Sequence, residues 1–285
     1  MRSRISEFDL VMPESLDSAV AMLASGEGWR PIAGGTDLMV LLNAGKLPYK
    51  KLLTLRKLDE LRQISVTNNA VHIGGAATYS HIQRHPVLEA EFPLLCQAAR
   101  STGGIANQNQ GTLGGNIANA SPAADSAPPL LVYHAQIHLV SNSGTRKVPY
   151  TEFHLGYKQL AMRADELIQE IELPRPVTTW RSYGRKVGTR RAQAISKVSF
   201  AAAARVEGGN VLDIRLALGS VAPVPLRCTA TERFLLQTPV TQAAIAHACQ
   251  TLESEIRPID DIRSTAVYRS AVAKNVLAEF LGTLG

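Results

Sequence analysis

Two glycine-rich stretches hold the residues of this sequence that are best suited to bind a ligand. The longer stretch, residues 111–125, reads GTLGGNIANASPAAD and combines small and polar side chains with a single carboxylate. The shorter stretch, residues 31–38, reads PIAGGTDL. Glycine lets a ligand come close to the main chain, and successive backbone N–H groups can surround an anion. We therefore predict two loops that grip one long phosphorylated ligand, and a dinucleotide with a diphosphate bridge fits best.

The motifs of several other chemistries are missing. The sequence has no GxGxxG after a strand pattern, no GxxxxGK followed by Ser or Thr, no HExxH and no GxSxG, which argues against a Rossmann domain, a P-loop NTPase, a zinc protease and an α/β-hydrolase. His81 and His85 have helix spacing, and His134 and His138 have strand spacing on one face, but neither pair has an evident third metal ligand. We interpret all four histidines as structural and expect the chain to hold a cofactor rather than to attack a substrate with its own side chains.

The composition is that of an ordinary globular protein. The chain has 285 residues, of which 45% are hydrophobic and 19% charged, and no apolar run is long enough to cross a bilayer. The basic N-terminal residues are not followed by the apolar core of a signal peptide, so we expect a cytoplasmic location. The net charge of +6 is scattered and aromatic residues are only 5%, which disfavours a nucleic-acid-binding module but leaves it as an alternative from another class.

The three cysteines are Cys96, Cys228 and Cys249, and they lie far apart. An odd number without a CxxC pair predicts no disulfide framework, no zinc site and no iron–sulfur cluster in this chain. Cys96 falls in an apolar helical pattern and is expected in the core.

Short strands and helices are predicted around both loops. A strand over 30–33 leads into the shorter loop, and a brief helix with Leu38, Leu41 and Leu42 on its buried face follows it. This order brings loop N–H groups and a helix N-terminus to one point, which suits a phosphate. Further strands are predicted over 8–11, 52–55, 71–76, 135–140 and 166–173, and helices over 15–26, 78–85 and 93–102.

A double proline at Pro174 and Pro176 is the best candidate for a domain boundary. Beyond it, two apolar runs over 199–206 and 211–218 flank a Gly-Gly-Asn turn and predict a hairpin. The remaining sequence predicts helices over 229–236, from 241 to about 256, and from 264 to the end.

The sequence resembles the FAD-binding medium subunit of molybdenum hydroxylases, a family that includes xanthine, carbon monoxide and nicotine dehydrogenases and 4-hydroxybenzoyl-CoA reductases. The residues that carry the resemblance are 31–38, 111–116, 121–125 and 183–192, and it extends over nearly the whole chain. Thr36-Asp37 in the shorter loop is closest to the xanthine dehydrogenase and hydroxybenzoyl-CoA reductase branches. The three cysteines are too few for the four-iron cluster that some relatives carry in this subunit.

The resemblance implies a set of residues around FAD, with residues 30–37 and 112–116 embracing the diphosphate. Asp125 would accept hydrogen bonds from ribose hydroxyls, and Lys186 would offset the diphosphate charge or stabilise reduced flavin. The implied contacts are Arg30, Pro31, Ile32, Ala33, Gly34, Gly35, Thr36, Asp37, Thr102, Gly103, Thr112, Leu113, Gly114, Gly115, Asn116, Asp125, Ile168 and Lys186.

Each of these residues also has a purely structural interpretation. A glycine can serve a tight turn, Asp125 a helix cap, Lys186 a solvated surface and Ile168 the core of a strand. Arg190 and Arg191 could contact the cofactor, a neighbouring subunit or NAD, and the sequence does not choose between these roles.

The implied fold is α+β, with a two-lobed FAD domain of the PCMH or vanillyl-alcohol-oxidase type followed by a smaller antiparallel sheet with helices. We expect the FAD domain over 1–175, in lobes of about 1–57 and 58–175, and the C-terminal domain over 176–285. FAD is expected between the lobes and the C-terminal domain.

The implied function is electron transfer within a heterotrimer, which we expect as a dimer of heterotrimers. A large subunit would hydroxylate the substrate, first of all a purine or an N-heteroaromatic, at a molybdenum cofactor. A small subunit would pass the electrons through two 2Fe–2S clusters to the FAD of this chain, which would deliver them to NAD+ or another acceptor. The main alternative is a self-contained flavin oxidoreductase of the same fold, such as a UDP-sugar reductase, and the short C-terminal part argues against it.

Overall fold

The computed structural model describes residues 7–176, 180–190 and 193–285. Its first part is a small parallel sheet in the order β1-β3-β2, covered by helix α1. Ser15 begins α1 by accepting a hydrogen bond from the N–H of Ser18, and the apolar face of the helix packs on Leu53. The elements are β1 Asp9–Val11, α1 Leu16–Ala24, β2 Arg30–Ile32, α2 Leu38–Asn43 and β3 Lys51–Thr54.

The second part is a five-stranded antiparallel sheet in the order β4-β5-β10-β6-β7. The helices that follow β5 lie against one face, and α1 packs against one end of the other face. Burial alternates along β6 with the period of two that the sequence predicted. A 3-10 turn, Asp59–Leu61, leads into it, and a short hairpin of β8 and β9 lies beside it. The strands are β4 Ile64–Val66, β5 Ala70–Gly74, β6 Gln136–Ser141, β7 Gly144–Pro149, β8 His154–Gly156, β9 Gln159–Leu160 and β10 Leu167–Pro174; the helices are α3 Tyr79–Arg84, α4 Pro86–Glu91, α5 Pro93–Ser101, α6 Ile105–Gln110, α7 Leu113–Ala118, α8 Ala127–Val132 and α9 Tyr150–Phe153.

The third part is a four-stranded antiparallel sheet in the order β11-β12-β13-β14 with three helices. The predicted hairpin is confirmed, and its turn places Gly208 and Gly209 at positive φ, where glycine is favoured. The elements are β11 Arg181–Val187, β12 Val198–Glu207, β13 Asn210–Gly219, β14 Leu226–Arg227, α10 Thr229–Leu235, α11 Gln242–Glu255 and α12 Ala266–Gly282.

Strand β12 is buried on both faces, which explains its continuous apolar sequence. Ala201 and Ala203 belong to the core of the second part, where α8 lies against β12 and β13. Phe200 and Ala202 belong to the core under the C-terminal helices. The small alanine side chains therefore allow two layers of helices to pack on opposite sides of one strand.

Several expectations about local structure are wrong. Helix α2 exists, but Leu38, Leu41 and Leu42 remain partly exposed because side chains of α1 and β3 already fill the core of this part. His134 does not share a strand face with His138, since it precedes β6 in a left-handed turn with φ 54°.

The longer glycine stretch, residues 111–125, is not a loop throughout, because it contains helix α7. Strand β11 was not predicted. Cys96 is fully buried, as expected. Within the described ranges, no helix combines the length and the apolar character needed to span a membrane.

Candidate cofactor site

The shorter glycine loop connects β2 to α2 and lies against the longer glycine stretch. A Cβ atom on Gly34 would be 1.9 Å from the carbonyl oxygen of Gln110, so only glycine allows this contact. Gly35 has φ +71°, a conformation that glycine adopts without strain. Both glycines are therefore required by the backbone path that joins the two stretches.

This loop presents a row of free donors. Among the described residues, no acceptor lies within hydrogen-bond distance of the backbone N–H groups of residues 34–37. Thr36 and Asp37 are exposed, and the glycines before them are half-buried. Successive N–H groups without partners form an anion-binding concavity. The Asp37 carboxylate would repel a phosphate at close range, so it suits a hydroxyl group of a ligand instead.

The second glycine pair is arranged differently from the expectation. The N–H of Gly114 donates to the carbonyl of Gly75 at 2.9 Å, and the N–H of Gly115 donates to Thr112 Oγ1 at 3.1 Å. A Cβ atom on Gly114 would be 2.5 Å from the Gly75 oxygen. The N-terminal cap of α7 and the contact with Gly75 therefore use both N–H groups, which the sequence analysis expected to be free donors. Contact of these two glycines with FAD stays a prediction.

The side chain of Asn116 keeps donors available beside this helix. Its Oδ1 accepts a hydrogen bond from Ser126 Oγ at 2.7 Å. Among the described residues, no acceptor contacts its amide nitrogen, and the side chain is half-buried. A ligand at this point can therefore receive two hydrogen bonds from one amide group.

Asp125 and Lys186 form a buried ion pair between the second and third parts. Lys186 Nζ lies 2.5 Å from Asp125 Oδ2 and 2.8 Å from the carbonyl oxygen of Ser101, while Ser196 Oγ donates to Asp125 Oδ1. The two side chains of the pair are 10% and 15% exposed. Burial raises the pKa of Asp125, and the bonds from Lys186 and Ser196 oppose that rise. The charges of two predicted cofactor residues thus neutralise each other.

Tyr79 is a buried polar residue in this region that the sequence reasoning missed as a site residue. In the part of the chain that the structure describes, its hydroxyl forms no hydrogen bond of good geometry, but the hydroxyls of Ser126 and Thr102 lie close enough to lower its pKa. Burial raises the pKa of Tyr79 well above its ordinary value, and the nearby Asp125 carboxylate raises it further. A tyrosine hydroxyl that is buried without a partner costs free energy unless a ligand or water completes it.

The remaining residues that were predicted to contact FAD lie in several different local environments. Thr102 donates its hydroxyl to the carbonyl of Ala98 at 2.8 Å, and Gly103 follows with φ +60°. Ile168 is buried in β10, where its carbonyl lies against Gly75. The Arg30 guanidinium stacks over the Tyr49 ring at 4.6 Å. Pro31, Ile32 and Ala33 lead into the first loop, and Thr112 and Leu113 are buried at the start of α7.

Arg190 donates a hydrogen bond to the backbone carbonyl of Gln193. Arg191, the second arginine whose role the sequence left open, lies outside the described residues. A small cavity of about 30 Å³ lies beside the Asp125–Lys186 pair, between α5 and strands β11 and β12. Gly75 is the main structural residue that the sequence reasoning missed, and the only signal for it was the Gly-Gly at the end of a strand pattern.

Comparison with known proteins agrees with this architecture. Residues 6–176 match the family model for the FAD binding domain in molybdopterin dehydrogenase, and residues 184–284 match the carbon monoxide dehydrogenase flavoprotein C-terminal domain. The chain is 30% identical over 277 residues to the putative xanthine dehydrogenase FAD-binding subunit of Escherichia coli, with 95% of each chain covered. It is 32% identical over 268 residues to the glyceraldehyde dehydrogenase medium chain of Sulfolobus acidocaldarius, covering 94% of this chain and 95% of that one.

A solved structure shows the same fold. A chain of carbon monoxide dehydrogenase from Hydrogenophaga pseudoflava superposes with a TM-score of 0.94 at 28% identity, and the match covers 99% of this chain and 98% of that chain. The expected α+β fold, a FAD-binding domain followed by a C-terminal domain with an antiparallel sheet, is confirmed.

Proposed function

This chain belongs to the FAD-binding medium subunits of the molybdenum hydroxylase family, and from that membership we propose that it is the electron-transfer subunit of a three-subunit enzyme. It would receive electrons from a small subunit with two 2Fe–2S clusters and pass them to NAD+ or another acceptor. A large subunit would hydroxylate the substrate at a molybdenum cofactor, and the complex would form a dimer of such heterotrimers.

The observation that carries the proposal is the row of unpartnered N–H groups at residues 34–37. A diphosphate needs several hydrogen-bond donors and no hydrophobic contact, and this exposed row supplies them without a bulky side chain in the way. The amide nitrogen of Asn116 adds two donor hydrogens on the side of α7. The residues present therefore fit FAD.

Each group has a distinct task in this proposal. The N–H groups of residues 34–37 and the Asn116 amide would hold the diphosphate, and Asp37 would accept from hydroxyl groups of the ligand. FAD, when bound, supplies a centre that takes electrons singly and releases them in pairs. The Asp125–Lys186 pair fixes the third part of the chain against the second and so holds the walls around the cofactor in place.

We propose a purine as the first substrate class to test on the complete enzyme. Thr36-Asp37 is the form of the first loop that resembles the xanthine dehydrogenase branch, and one relative is named a putative xanthine dehydrogenase subunit. Other relatives are named for glyceraldehyde, nicotinate and carbon monoxide. Because these relatives are named for such different substrates, we infer that the medium subunit does not contact the substrate. The large subunit would then determine which substrate is used.

The test is the flavin content of the full chain, purified alone and co-expressed with its candidate partner subunits. We expect one FAD per chain, and we expect molybdenum and iron to co-purify in the second preparation. The variant Thr36→Glu adds a negative charge at an exposed position beside the free donors. This charge should cost about 1–4 kcal/mol of FAD binding, or about fivefold to a thousandfold in affinity. The control variant Thr36→Gln introduces a side chain of the same size as glutamate but without its charge. This variant should bind FAD almost normally.

Three outcomes would change the proposal. Absence of flavin from both preparations would refute it. Equal FAD binding by Thr36→Glu and Thr36→Gln would show that the first loop does not hold the diphosphate. Substrate turnover by the chain without partners would favour a self-contained flavin oxidoreductase.

A further inference from the structure

Four ionisable side chains meet on the face of the five-stranded sheet opposite helices α3 to α9, beyond the end of that face where α1 packs against Val140. They are His72 on β5, Glu170 and Glu172 on β10, and His138 on β6, and we call them the sheet-face cluster. In the register of the sheet, Glu172 stands opposite His72, and Glu170 opposite His138. Their neighbours Ile73, Ile171 and Ile137 point to the other face and are fully buried. The strand period thus places all four polar side chains on one surface.

The carboxylate of Glu170 holds both histidines in a fixed orientation. Its Oε1 lies 2.8 Å from His72 Nδ1 and 3.1 Å from His138 Nδ1. Each of these contacts is a hydrogen bond when Nδ1 carries the proton, which leaves the lone pair of a neutral ring on Nε2. Carboxylates that accept from Nδ1 in this way are the usual partners of metal-binding histidines.

His138 has a carboxylate at each of its two ring nitrogens. Its Nε2 lies 2.7 Å from Glu172 Oε2, opposite the nitrogen that faces Glu170. A neutral imidazole has one N–H and satisfies only one of these contacts. The second contact requires either a doubly protonated ring or a cation between Nε2 and the carboxylate.

The charge of the cluster also favours a cation. With neutral histidines, the two carboxylates carry two negative charges, and the nearby cation is Lys147, whose Nζ lies 2.7 Å from Glu172. The side chain of Lys147 is 58% exposed, whereas those of His138 and Glu172 are 14% and 18% exposed. A metal ion that displaces the exposed Lys147 side chain would neutralise the negative charge beside the more deeply buried His138 and Glu172.

We propose that the sheet-face cluster binds one divalent cation of the Zn²⁺ class. The ligands would be a ring nitrogen of His72, Nε2 of His138 and a carboxylate oxygen of Glu172. One ring nitrogen from each histidine and one oxygen of Glu172 already lie within 4.8 Å of one another. Two imidazoles and a carboxylate are a common zinc ligand set, and bonds of about 2 Å place tetrahedral ligands about 3.3 Å apart. The most widely separated ligand atoms therefore need to approach by up to about 1.5 Å. Glu170 would hold the two rings during this change, and Lys147 would move away from Glu172.

The test measures Zn²⁺ binding to the full chain by equilibrium dialysis after removal of any histidine tag. We expect one high-affinity Zn²⁺ per chain, lost in His138→Gln and in Glu172→Gln. Glu170→Gln should weaken binding by about tenfold or more, because it removes the partner that orients both rings. Lys147→Gln should strengthen binding, since it removes the competing cation. Substitution with Co²⁺ should give tetrahedral absorption bands at wavelengths beyond those of flavin.

His81→Gln is the matched control. His81 lies on α3, and its pKa is lowered by burial and by the positive charges of Arg62 and Arg84, so it stands in surroundings that repel a metal ion. This variant should bind Zn²⁺ like the unmodified chain. Circular dichroism of every variant checks that it is folded.

Two results would overturn the proposal. One is the absence of a Zn²⁺ site stronger than the binding that remains in His138→Gln. The other is a His138 ring that stays doubly protonated in NMR spectra when Zn²⁺ is added. Neither result bears on FAD binding, because the cluster and the candidate cofactor site share no residue.

Discussion

The backbone N–H of Gly114 donates to the carbonyl oxygen of Gly75 at 2.9 Å, so the second glycine pair holds the protein together at a point where a nucleotide-binding loop was expected. Gly75 in turn donates its own N–H to the carbonyl of Gln169 on β10. The contact therefore fixes the start of α7 against the central sheet. The donors that remain free for an anion lie in the other glycine loop.

Gly114→Ala should destabilise the fold strongly. The new methyl group would lie 2.5 Å from the Gly75 oxygen, and that oxygen belongs to backbone that cannot turn away. Overpacking of this kind costs about 1–3 kcal/mol, and loss of the hydrogen bond adds about 1 kcal/mol. Denaturant unfolding measures the change. Gly282→Ala, with no atom within 4 Å of the new methyl group, should leave stability nearly unchanged; equal effects of the two substitutions would contradict the packing argument.

Asn116→Asp should weaken FAD binding without loss of the fold. The aspartate has the same shape and keeps an oxygen for the Ser126 hydroxyl, but it replaces the amide donors by a negative charge. We expect about tenfold or more weaker binding, which corresponds to about 1.4 kcal/mol. Fluorescence titration of the flavin-free chain measures it. Asn69→Asp in the exposed β4–β5 turn is the control, and a similar loss in that variant would show a general charge effect.

Lys186→Met should destabilise the protein because it leaves the Asp125 carboxylate buried beside a non-polar side chain. Removal of one partner from a buried ion pair costs about 3–5 kcal/mol. The double variant Asp125→Asn with Lys186→Met removes both charges and should recover part of that loss. Urea unfolding of the two single variants and the double variant gives the coupling energy. Additive effects would mean that the 2.5 Å contact contributes nothing.

His154 should make the stability of the protein depend on acid pH. Burial lowers the pKa of His154 from 6.5 to about 4, and its Nε2 lies 3.1 Å from the Tyr150 hydroxyl. The unfolded chain then binds the proton more tightly than the folded chain, so stability is full above pH 6.5 and falls as the pH drops towards 4. We expect a loss of about 2–3 kcal/mol over this window.

His154→Gln keeps an acceptor for Tyr150 but does not titrate. Unfolding measured at several pH values should therefore show a smaller acid-induced loss in this variant than in the unmodified chain. A parallel pH dependence of the two proteins would assign the acid sensitivity to other groups.

Local features of the fold could be predicted from the sequence because local residues determine them. The Ser15 cap of α1, the Gly208-Gly209 turn and the long C-terminal helices each depend on a few neighbouring residues. Helix α2 shows the limit of this reasoning. Its leucines have the right spacing for burial, but whether a core is left for them depends on α1 and β3.

The sequence indicated which stretches form the candidate site, but not the hydrogen bonds and the ion pair that connect their residues. The two glycine stretches identify the region and the ligand class. The bonds from Gly114 to Gly75 and from Lys186 to Asp125 join residues that are far apart in the chain, so no spacing rule indicates them. The sheet-face cluster was missed for the same reason, because the strand order β5-β10-β6 brings together residues from three separate segments.

The alanine face of β12 has a consequence for the way in which the protein matures. Ala201 and Ala203 complete the core of the second part, and Lys186 on the adjacent strand reaches Asp125 across the same junction. The wall of the candidate site therefore closes only after the strands that follow Pro176 have been synthesised and have docked. A chain emerging from the ribosome would meet its cofactor late, after translation has passed these strands, and loading would follow folding rather than guide its first steps.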